Sequence, residues 1–306
     1  MKDLIKLEGY SEKEILDFLK LASQIKKDPH EYTEKLKGKV LVMLFAKPSL
    51  RTHLSFDVAM HKLGGHAIYY NLENSPLGKK ESIKDGAHVM SRYVDVIMAR
   101  LYEHTNMVAL ANHSAVPVIN GLDDLFHPCQ ALGDLLTIKE HFGKLKGLRL
   151  TYLGDADANV IHDLMYACAK TGIHLMISCP KKIEFLPNET IFKLAKKFAG
   201  KTTLILEHNP KKAVEKAQII YTDSWMSYHI PESQRKRRIR LLKKYQVNEK
   251  LFNISKKAVF MHCLPAERGL EVTDAVIDSK RSIVFQQAEN RLWIQMAILL
   301  VLLKKE

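Results

Sequence analysis

The segment Ser49-Leu50-Arg51-Thr52 places two hydroxyls and a guanidinium where an apolar run ends and a helical pattern begins. Backbone N–H groups at a helix start, together with hydroxyl and guanidinium donors, can cradle a phosphate dianion. For such a segment taken alone, the alternative is a serine N-cap beside solvated Lys47 and Arg51. The segment therefore predicts a phosphate site only if other anion-binding residues support it.

Three further segments carry cationic or polar groups at strand ends or helix starts. Arg100 ends an apolar run, where it can reach a ligand or form a surface salt bridge. His127 and Gln130 stand three residues apart near a helix start, so both can face one pocket. A capping histidine with a solvated glutamine is the alternative. Arg291 opens the last predicted helix, where an ordinary surface ion pair is the alternative.

Cys263 stands in His262-Cys263-Leu264-Pro265, at the end of an apolar run that the proline terminates. Its thiol would face the same crevice as the other strand-end residues, although a lone cysteine there is usually inert packing. The four cysteines lie far apart, without CxxC or other metal-ligand spacing. We therefore expect no metal site, no disulfide framework, and reduced thiols in a cytoplasmic protein.

Short apolar runs that alternate with helical patterns predict the elements that position these residues. A capping box at Ser11 and Glu14 predicts an initial amphipathic helix. The predicted strands are residues 40–45, 67–70, 94–98, 116–119, 148–153, 174–178, 203–206, 219–221, 259–261 and 283–285. Strands alternating with helices imply an α/β protein whose parallel sheets have binding crevices at their carboxyl ends. The final helix, from about Asn290, is too apolar to stand alone.

The chain length predicts more than one domain. The 306 residues exceed the usual size of a single hydrophobic core, and 46% hydrophobic with 26% charged residues is typical of a globular protein. A polar, glycine-containing stretch at 139–148 separates an apolar helix from a new strand. We predict one domain at 1–138, with the helix 291–306 packing back on it, and another at 139–290.

The net charge of +13 and the pI near 9.4 favour anionic partners. The densest basic run, residues 235–240, predicts the first turns of an exposed amphipathic helix. Without zinc-finger spacing, an RNP-like motif or aromatic interleaving, we expect no nucleic-acid partner. A dinucleotide-dependent dehydrogenase is also disfavoured, because Gly154-Asp155-Ala156 has one glycine where the fingerprint needs three.

Membrane association is disfavoured as well. The longest apolar run, residues 296–303, is far shorter than the ~18 residues that a membrane span needs. The first residues include Asp3 and show no sustained apolar stretch of a signal peptide. We expect neither export nor membrane anchoring.

The order and spacing of these motifs along nearly the whole chain resemble one family, the aspartate and ornithine carbamoyltransferases. That family's phosphate motif reads Ser-Thr-Arg-Thr-Arg. Ser49, Arg51 and Thr52 match it, whereas Leu50 and His53 depart from it. The contact at the leucine position is largely made by the backbone in the family, so that departure is mild.

Other segments extend the resemblance. Arg100 matches the family's strand-end arginine, and His127-Pro128-Cys129-Gln130 matches its His-Pro-x-Gln motif. The ornithine branch is indicated by Glu289-Asn290-Arg291 and by Cys263, which the aspartate branch lacks.

The amino-acid-binding segments match this branch with several departures. The loop Asp223-Ser224-Trp225-Met226-Ser227 resembles the family's ornithine-binding loop. Asn159 matches the second of two adjacent asparagines, while Ala158 replaces the first. Tyr228-His229 stand where the family has methionine and glycine. Pro76 replaces the glutamine or histidine by which a neighbouring subunit's loop approaches the site in relatives.

The resemblance implies transfer of a carbamoyl group from carbamoyl phosphate to the δ-amine of L-ornithine, giving L-citrulline and phosphate, a step of arginine biosynthesis. It implies a homotrimer of two parallel-sheet domains joined by interdomain helices, with the active site in the cleft. Domain 1–138 would bind carbamoyl phosphate, and domain 139–290 would bind ornithine. No cofactor is implied. Other acceptor amines, putrescine or an N-acylated ornithine, remain the alternative.

The resemblance also assigns site residues. The implied carbamoyl-phosphate-binding residues are Ser49, Leu50, Arg51, Thr52, Arg100, His127, Gln130, Cys263, Leu264 and Arg291. The implied ornithine-binding residues are Asn159, Asp223, Ser227 and Tyr228. The implied catalytic residues are Arg100, His127, Asp223, Cys263 and Arg291.

Overall fold

The computed structural model describes residues 3–226 and 230–303. Within them the chain forms two compact units. The first comprises residues 3–136 and 289–303, and the second comprises residues 137–226 and 230–288. The positions where the units divide fall inside two long helices, at 136/137 and 288/289.

The elements follow the alternation expected from the sequence. The strands are β1 Val40–Phe45, β2 His66–Asn71, β3 Val96–Arg100, β4 Val118–Leu122, β5 Arg149–Leu153, β6 His174–Ser178, β7 Leu204–Leu206, β8 Ile219–Thr222 and β9 Val259–His262. The helices are α1 Glu12–Lys27, α2 Leu50–Lys62, α3 Ile83–Met90, α4 His104–His113, α5 Pro128–Phe142, α6 Asn159–Thr171, α7 Glu189–Phe198, α8 Pro210–Val214, α9 Arg235–Leu242, α10 Glu249–Phe252, α11 Asp274–Ile277 and α12 Val284–Leu302. Short 3-10 turns connect several of them.

Each unit contains one sheet of parallel strands. The first sheet has the order β2-β1-β3-β4, and the second has the order β7-β6-β5-β8-β9. Strands β3 and β4 are buried along their whole length, as expected for apolar strands covered on both faces. The prediction of two parallel-sheet α/β domains is confirmed.

The first helix begins where the sequence predicted. The Ser11 hydroxyl accepts the Glu14 N–H at 3.3 Å, and the Glu14 carboxylate accepts the Ser11 N–H at 2.8 Å. These two bonds satisfy backbone donors that a helix start otherwise leaves open. Ile15, Leu19 and Ala22 lie buried on one face of α1.

The predicted strand 283–285 is wrong. The Ile283 N–H donates to the Phe260 carbonyl of β9 at 3.0 Å, but α12 begins at the next residue, Val284. The last helix therefore begins six residues before the predicted Asn290. A short apolar run is compatible with either a buried strand or the start of a buried helix. Which of the two forms depends on the segments that flank the run.

The basic run does form a helix, α9, but it is not wholly exposed. Arg238 is 4% exposed and pairs with the buried Asp155 carboxylate. A buried guanidinium requires such a partner because desolvating an unpaired charge is costly. Among the described residues, no helix combines the length and apolar character that a membrane crossing requires.

Candidate active site

The first cluster lies at the junction of β1 and α2. The Ser49 hydroxyl accepts the Thr52 N–H at 3.3 Å and so caps the helix, which begins at Leu50. Thr52 is buried, Ser49 and Arg51 are half-buried, and the Leu50 side chain is 69% exposed. The predicted cap and the predicted anion site are therefore compatible. The Ser49 hydroxyl caps the first turn of α2, and the positive end of the helix dipole at that turn is available to an anionic ligand.

Two arginines from distant parts of the chain converge on the Thr52 hydroxyl. Arg100, at the carboxyl end of β3, places Nη1 3.4 Å from Thr52 Oγ1. Arg291, on α12, places Nη2 3.5 Å from the same oxygen. Both arginines are almost fully buried, at 6% and 3% exposure. Two guanidiniums next to one helix N-terminus concentrate positive charge in a site of low dielectric, which favours an anionic ligand.

Gln130 and His127 complete this cluster from the start of α5. Arg291 Nη1 donates to Gln130 Oε1 at 2.6 Å, and Gln130 Nε2 donates to Asp134 Oδ1 at 2.8 Å. These bonds fix both the amide orientation and the arginine. The pKa of His127 lies well below its ordinary value, because burial and then the charges of Arg291 and Arg100 disfavour the imidazolium. His127 is therefore a neutral imidazole, able to donate one N–H to an oxygen ligand.

Lys47 is a further residue of this cluster, which sequence reasoning treated only as a solvated side chain. It is 2% exposed, and its Nζ lies 2.7 Å from Asp124 Oδ1 and 4.4 Å from the centroid of the Tyr102 ring. Burial lowers the pKa of Lys47, and the Asp124 carboxylate opposes that change. Lys47 thereby connects the turns that follow β1, β3 and β4. The ion pair could not be predicted from the sequence, because Lys47 and Asp124 are 77 residues apart and no motif links them.

The second cluster lies in the other unit, at the carboxyl ends of β8 and β9. Asp223 Oδ1 accepts the Cys263 thiol at 2.9 Å and the Ser224 N–H at 2.7 Å. The two strands pair in register, Thr222 beside His262, so the next residue on each strand meets its neighbour. Strand ends of a parallel sheet thus bring a carboxylate and a thiol together, and the sequence had predicted the strand-end position of Cys263.

The chain turns sharply after Cys263. Leu264 donates its N–H to His262 Nδ1 at 2.9 Å and has a φ of +56°, and the Leu264–Pro265 peptide bond is cis. A non-glycine residue in the left-handed region costs about 1–3 kcal/mol, so surrounding contacts must hold it. Leu264 is half-buried and follows the same strand end at which Cys263 meets the Asp223 carboxylate.

The loop after β5 carries Asp155 and Asn159. Asn159 is half-buried and is the first residue of α6. Burial raises the pKa of Asp155 to about 6, against the opposing charge of Arg238. Arg238 also donates from Nε to the Trp225 carbonyl at 3.0 Å. It thus ties the loop after β5 to the loop after β8.

Two predicted binding residues, Ser227 and Tyr228, lie outside the described residues. Asp223, His262 and Cys263 bring a carboxylate oxygen, an imidazole nitrogen and a sulfur within 4.8 Å of one another, a set of atoms that could ligate a metal. The thiol donates to Asp223, and His262 Nδ1 accepts the Leu264 N–H, so these hydrogen bonds account for their proximity.

Comparison with known proteins decides the family. The carbamoyl-P binding domain of aspartate/ornithine carbamoyltransferase matches residues 2–140, and the Asp/Orn binding domain of the same family matches residues 146–302. The chain belongs to the aspartate/ornithine carbamoyltransferase family. Within that family, an ornithine carbamoyltransferase of Anoxybacillus flavithermus is 46% identical over 308 residues, spanning 99% of this chain and 96% of the relative.

Solved structures of the family agree with this assignment. Ornithine carbamoyltransferase from Pyrococcus furiosus is 45% identical, with a TM-score of 0.91 over 97% of this chain and 96% of that one. An acetylornithine transcarbamylase complexed with acetylcitrulline is 27% identical, with a TM-score of 0.89 over 100% of both chains. The identity is therefore higher to the ornithine enzyme than to the one whose complex contains an acetylated product.

Proposed function

We propose that this protein transfers the carbamoyl group of carbamoyl phosphate to the δ-amine of L-ornithine, giving L-citrulline and phosphate for arginine biosynthesis. The observation that carries the proposal is the convergence of Arg100 and Arg291 on Thr52, at a helix start that matches the family's phosphate motif. The full-length similarity to ornithine carbamoyltransferases supports the choice of acceptor.

The first unit would bind carbamoyl phosphate. Ser49, Arg51, Thr52 and the Leu50 N–H hold the phosphate, since these groups lie on the capped first turn of α2. The Gln130 side chain holds Arg291 in place. Arg100, His127, Thr52 and Arg291 polarise the carbamoyl oxygen, and one well-placed donor to a developing oxyanion is worth roughly 3–4 kcal/mol.

The second unit would bind ornithine. Asp223 and Cys263 orient the δ-nitrogen, while Asn159, Ser227 and Tyr228 bind the α-carboxylate and α-amino end. Cys263 and the Leu264 backbone also contact the carbamoyl group. The pairing of the Cys263 thiol with Asp223 supports this assignment, because both groups are positioned before substrate arrives.

The reaction needs no covalent enzyme intermediate. The neutral δ-amine attacks the carbamoyl carbon, the C–O bond to phosphate breaks, and the departing phosphate takes the proton that the new C–N bond releases. The ornithine δ-amine is an ammonium near pH 7, and the Asp223 carboxylate favours its capture. This ammonium must then release one proton to solvent before the neutral amine can attack. The protein's own contribution is orientation and electrostatic stabilisation.

We further assign the protein to the cytoplasm as a homotrimer. Leu50, Leu54 and Val58 recur every four residues along α2 and are exposed, as is Tyr69 on the edge strand β2. The His53 ring stacks on Tyr69 with 4.4 Å between centroids, so the two elements form one apolar face. We propose that a second copy of the chain buries this face, as exposed contiguous apolar side chains often mark subunit contacts.

The proposal is tested by product formation. Carbamoyl phosphate is incubated with ornithine, putrescine, N-acetylornithine, lysine or aspartate, and the product and released phosphate are identified. Ornithine-dependent citrulline is expected. Turnover only with another amine would reject the acceptor while leaving the carbamoyl-phosphate site. N-acetylornithine is the specific alternative, favoured by the structural similarity to an acetylornithine transcarbamylase.

A further inference from the structure

We propose that His104 is a positioning residue that, through Asp123, holds the turn before His127 in place. His104 is the first residue of α4 and belongs neither to the carbamoyl-phosphate-binding set nor to the ornithine-binding set described above. The inference rests on the proposed function, in which the His127 imidazole polarises the carbamoyl oxygen. It adds the residues that determine where that imidazole lies.

Asp123 organises the turn between β4 and α5. One of its carboxylate oxygens, Oδ1, accepts the Leu125 N–H at 2.8 Å and the Phe126 N–H at 2.7 Å. The Asp123 N–H donates to the Phe126 carbonyl at 3.1 Å, so Asp123 closes the turn 123–126 with both its backbone and its side chain. His127 follows this turn directly and precedes α5. The position of His127 therefore depends on the turn.

The second carboxylate oxygen of Asp123 connects this turn to its surroundings. Oδ2 accepts from Asn120 Nδ2 at 2.9 Å and lies 2.7 Å from His104 Nδ1. Asn120 lies on β4 itself, whereas His104 is 19 residues from Asp123 along the chain. Asp123 is fully buried, and N–H donors on both oxygens compensate its carboxylate for the hydration lost on burial. His104 thus supplies this carboxylate with a donor from another element.

His104 contacts the turn in two ways. Both oxygens of Asp123 accept N–H groups, so the carboxylate is the acceptor and His104 Nδ1 carries the proton. The His104 ring also lies edge-on against the Phe126 ring, with 4.9 Å between centroids and an interplanar angle of 64°. Phe126 is the residue directly before His127. The two contacts hold the turn at its first and last residues.

Loss of the Nδ1 donor should displace the His127 ring. A buried carboxylate that loses one donor moves toward another, and the turn bonded to its other oxygen moves with it. A donor aimed at a developing oxyanion must lie within about 0.5 Å of its productive position, so a small displacement weakens transition-state stabilisation. The phosphate-binding turn lies on a different element, α2, and keeps its geometry.

The test compares His104→Phe with His104→Asn. Phenylalanine keeps a ring against Phe126 but has no donor, whereas the asparagine Nδ2 can occupy the position of Nδ1 and donate to Asp123. His104→Phe is expected to lower kcat about tenfold, as loss of a hydrogen bond to a buried charge predicts, with a smaller change in KM for carbamoyl phosphate. His104→Asn retains most of kcat. Binding of inorganic phosphate, measured by calorimetry, stays unchanged in both variants.

His113→Phe is the matched control. His113 is the last residue of the same helix, and its ring lies against that of His88, with 5.8 Å between centroids. The same substitution at this position should leave kcat at the wild-type value. The His104 side chain is 17% exposed, so the fold should tolerate its replacement. If His104→Phe does not fold, His104→Ala serves in its place, with the same expected fall in kcat.

A spectroscopic measurement separates this inference from the proposed function. In protein labelled with ¹⁵N in its histidine rings, long-range ¹H–¹⁵N spectra report the surroundings of the His127 imidazole, whose signals are identified by their absence from His127→Gln. His104→Phe is expected to shift these signals, and His104→Asn to leave them near wild type. The spectra test the inference even if the protein does not carbamoylate ornithine. Wild-type kcat with unshifted His127 signals in His104→Phe would overturn it, as would equal losses of kcat in His104→Phe and His104→Asn.

Discussion

Arg238 of α9 forms a buried ion pair with Asp155. The preceding residue of the same helix, Arg237, pairs with Glu184 at the surface. The two pairs offer a comparison within one helix. Arg238→Gln leaves a buried carboxylate without its cation and should lower the free energy of unfolding by about 3–5 kcal/mol. Arg237→Gln should change it little, because an exposed pair is screened by water. Urea unfolding, followed by the fluorescence of Trp225 in a Trp293→Phe background, would measure both. Equal effects of the two substitutions would contradict the structural difference.

Arg51 tests the phosphate assignment. Arg51→Ala should weaken carbamoyl-phosphate binding roughly 10- to 100-fold, the effect of losing a charge-assisted hydrogen bond to an anion. Arg92→Ala, on an exposed arginine outside the cluster, is the control and should bind normally. Equilibrium binding by calorimetry is the measurement. Wild-type affinity in Arg51→Ala would remove Arg51 from the site.

His127 predicts a pH dependence of stability. The folded protein keeps this imidazole neutral because its pKa lies well below the ordinary value of 6.5. Below pH 6.5 the unfolded chain therefore binds a proton that the folded chain does not, and stability falls as pH falls. The slope is about 1.4 kcal/mol per pH unit for one full proton.

The comparison with His127→Gln isolates that contribution. The difference in unfolding free energy between wild type and His127→Gln should shrink by roughly 1 kcal/mol between pH 7.5 and pH 5.5. Other titrating groups contribute equally to both proteins and cancel. A difference that stays constant over this range would mean that His127 binds its proton in the folded state.

Replacing the buried Gln295 by an apolar residue should stabilise the protein. This glutamine of α12 is fully buried, and neither amide atom has a hydrogen-bonding partner among residues 3–226 and 230–303. Gln295→Met keeps the length of the side chain without the polar atoms and should raise the free energy of unfolding by about 1 kcal/mol. Gln286→Met, at a glutamine that donates to Glu140 at 3.0 Å, should give no gain. Denaturant unfolding of both variants would decide, and a loss of stability in Gln295→Met would refute the prediction.

The exposed face of α2 tests the proposed assembly. Leu54→Lys places a charge in the middle of this face and should convert the trimer to smaller species, as sedimentation velocity would show. Val108→Lys, on α4, changes a similarly exposed apolar residue outside the face and should leave the assembly intact. Association unaffected by Leu54→Lys would exclude this face from the subunit interface.

The sequence by itself determined the fold class and the position of most site residues along the chain. Apolar runs alternating with helical patterns predicted parallel strands, and each of the nine strands that the structure describes overlaps one of the predicted runs. Arg100 and Cys263 were predicted at strand ends because a strand boundary is a local property of composition. The Ser49 cap and the helix that follows it were predicted for the same reason.

Only the tertiary structure decided which of these residues meet and which charges are buried. Arg291 reaches Thr52 across 239 residues, and Asp223 meets Cys263 because β8 and β9 are neighbours in register. Sequence patterns predicted an exposed helix around Arg238 and offered a solvated Lys47 as one alternative, yet both side chains are buried against carboxylates. The burial and the pairing of a charged side chain depend on contacts between segments that are far apart in sequence. Local composition does not predict those contacts. Local patterns therefore placed the groups along the chain, and non-local packing set their charge state and their partners.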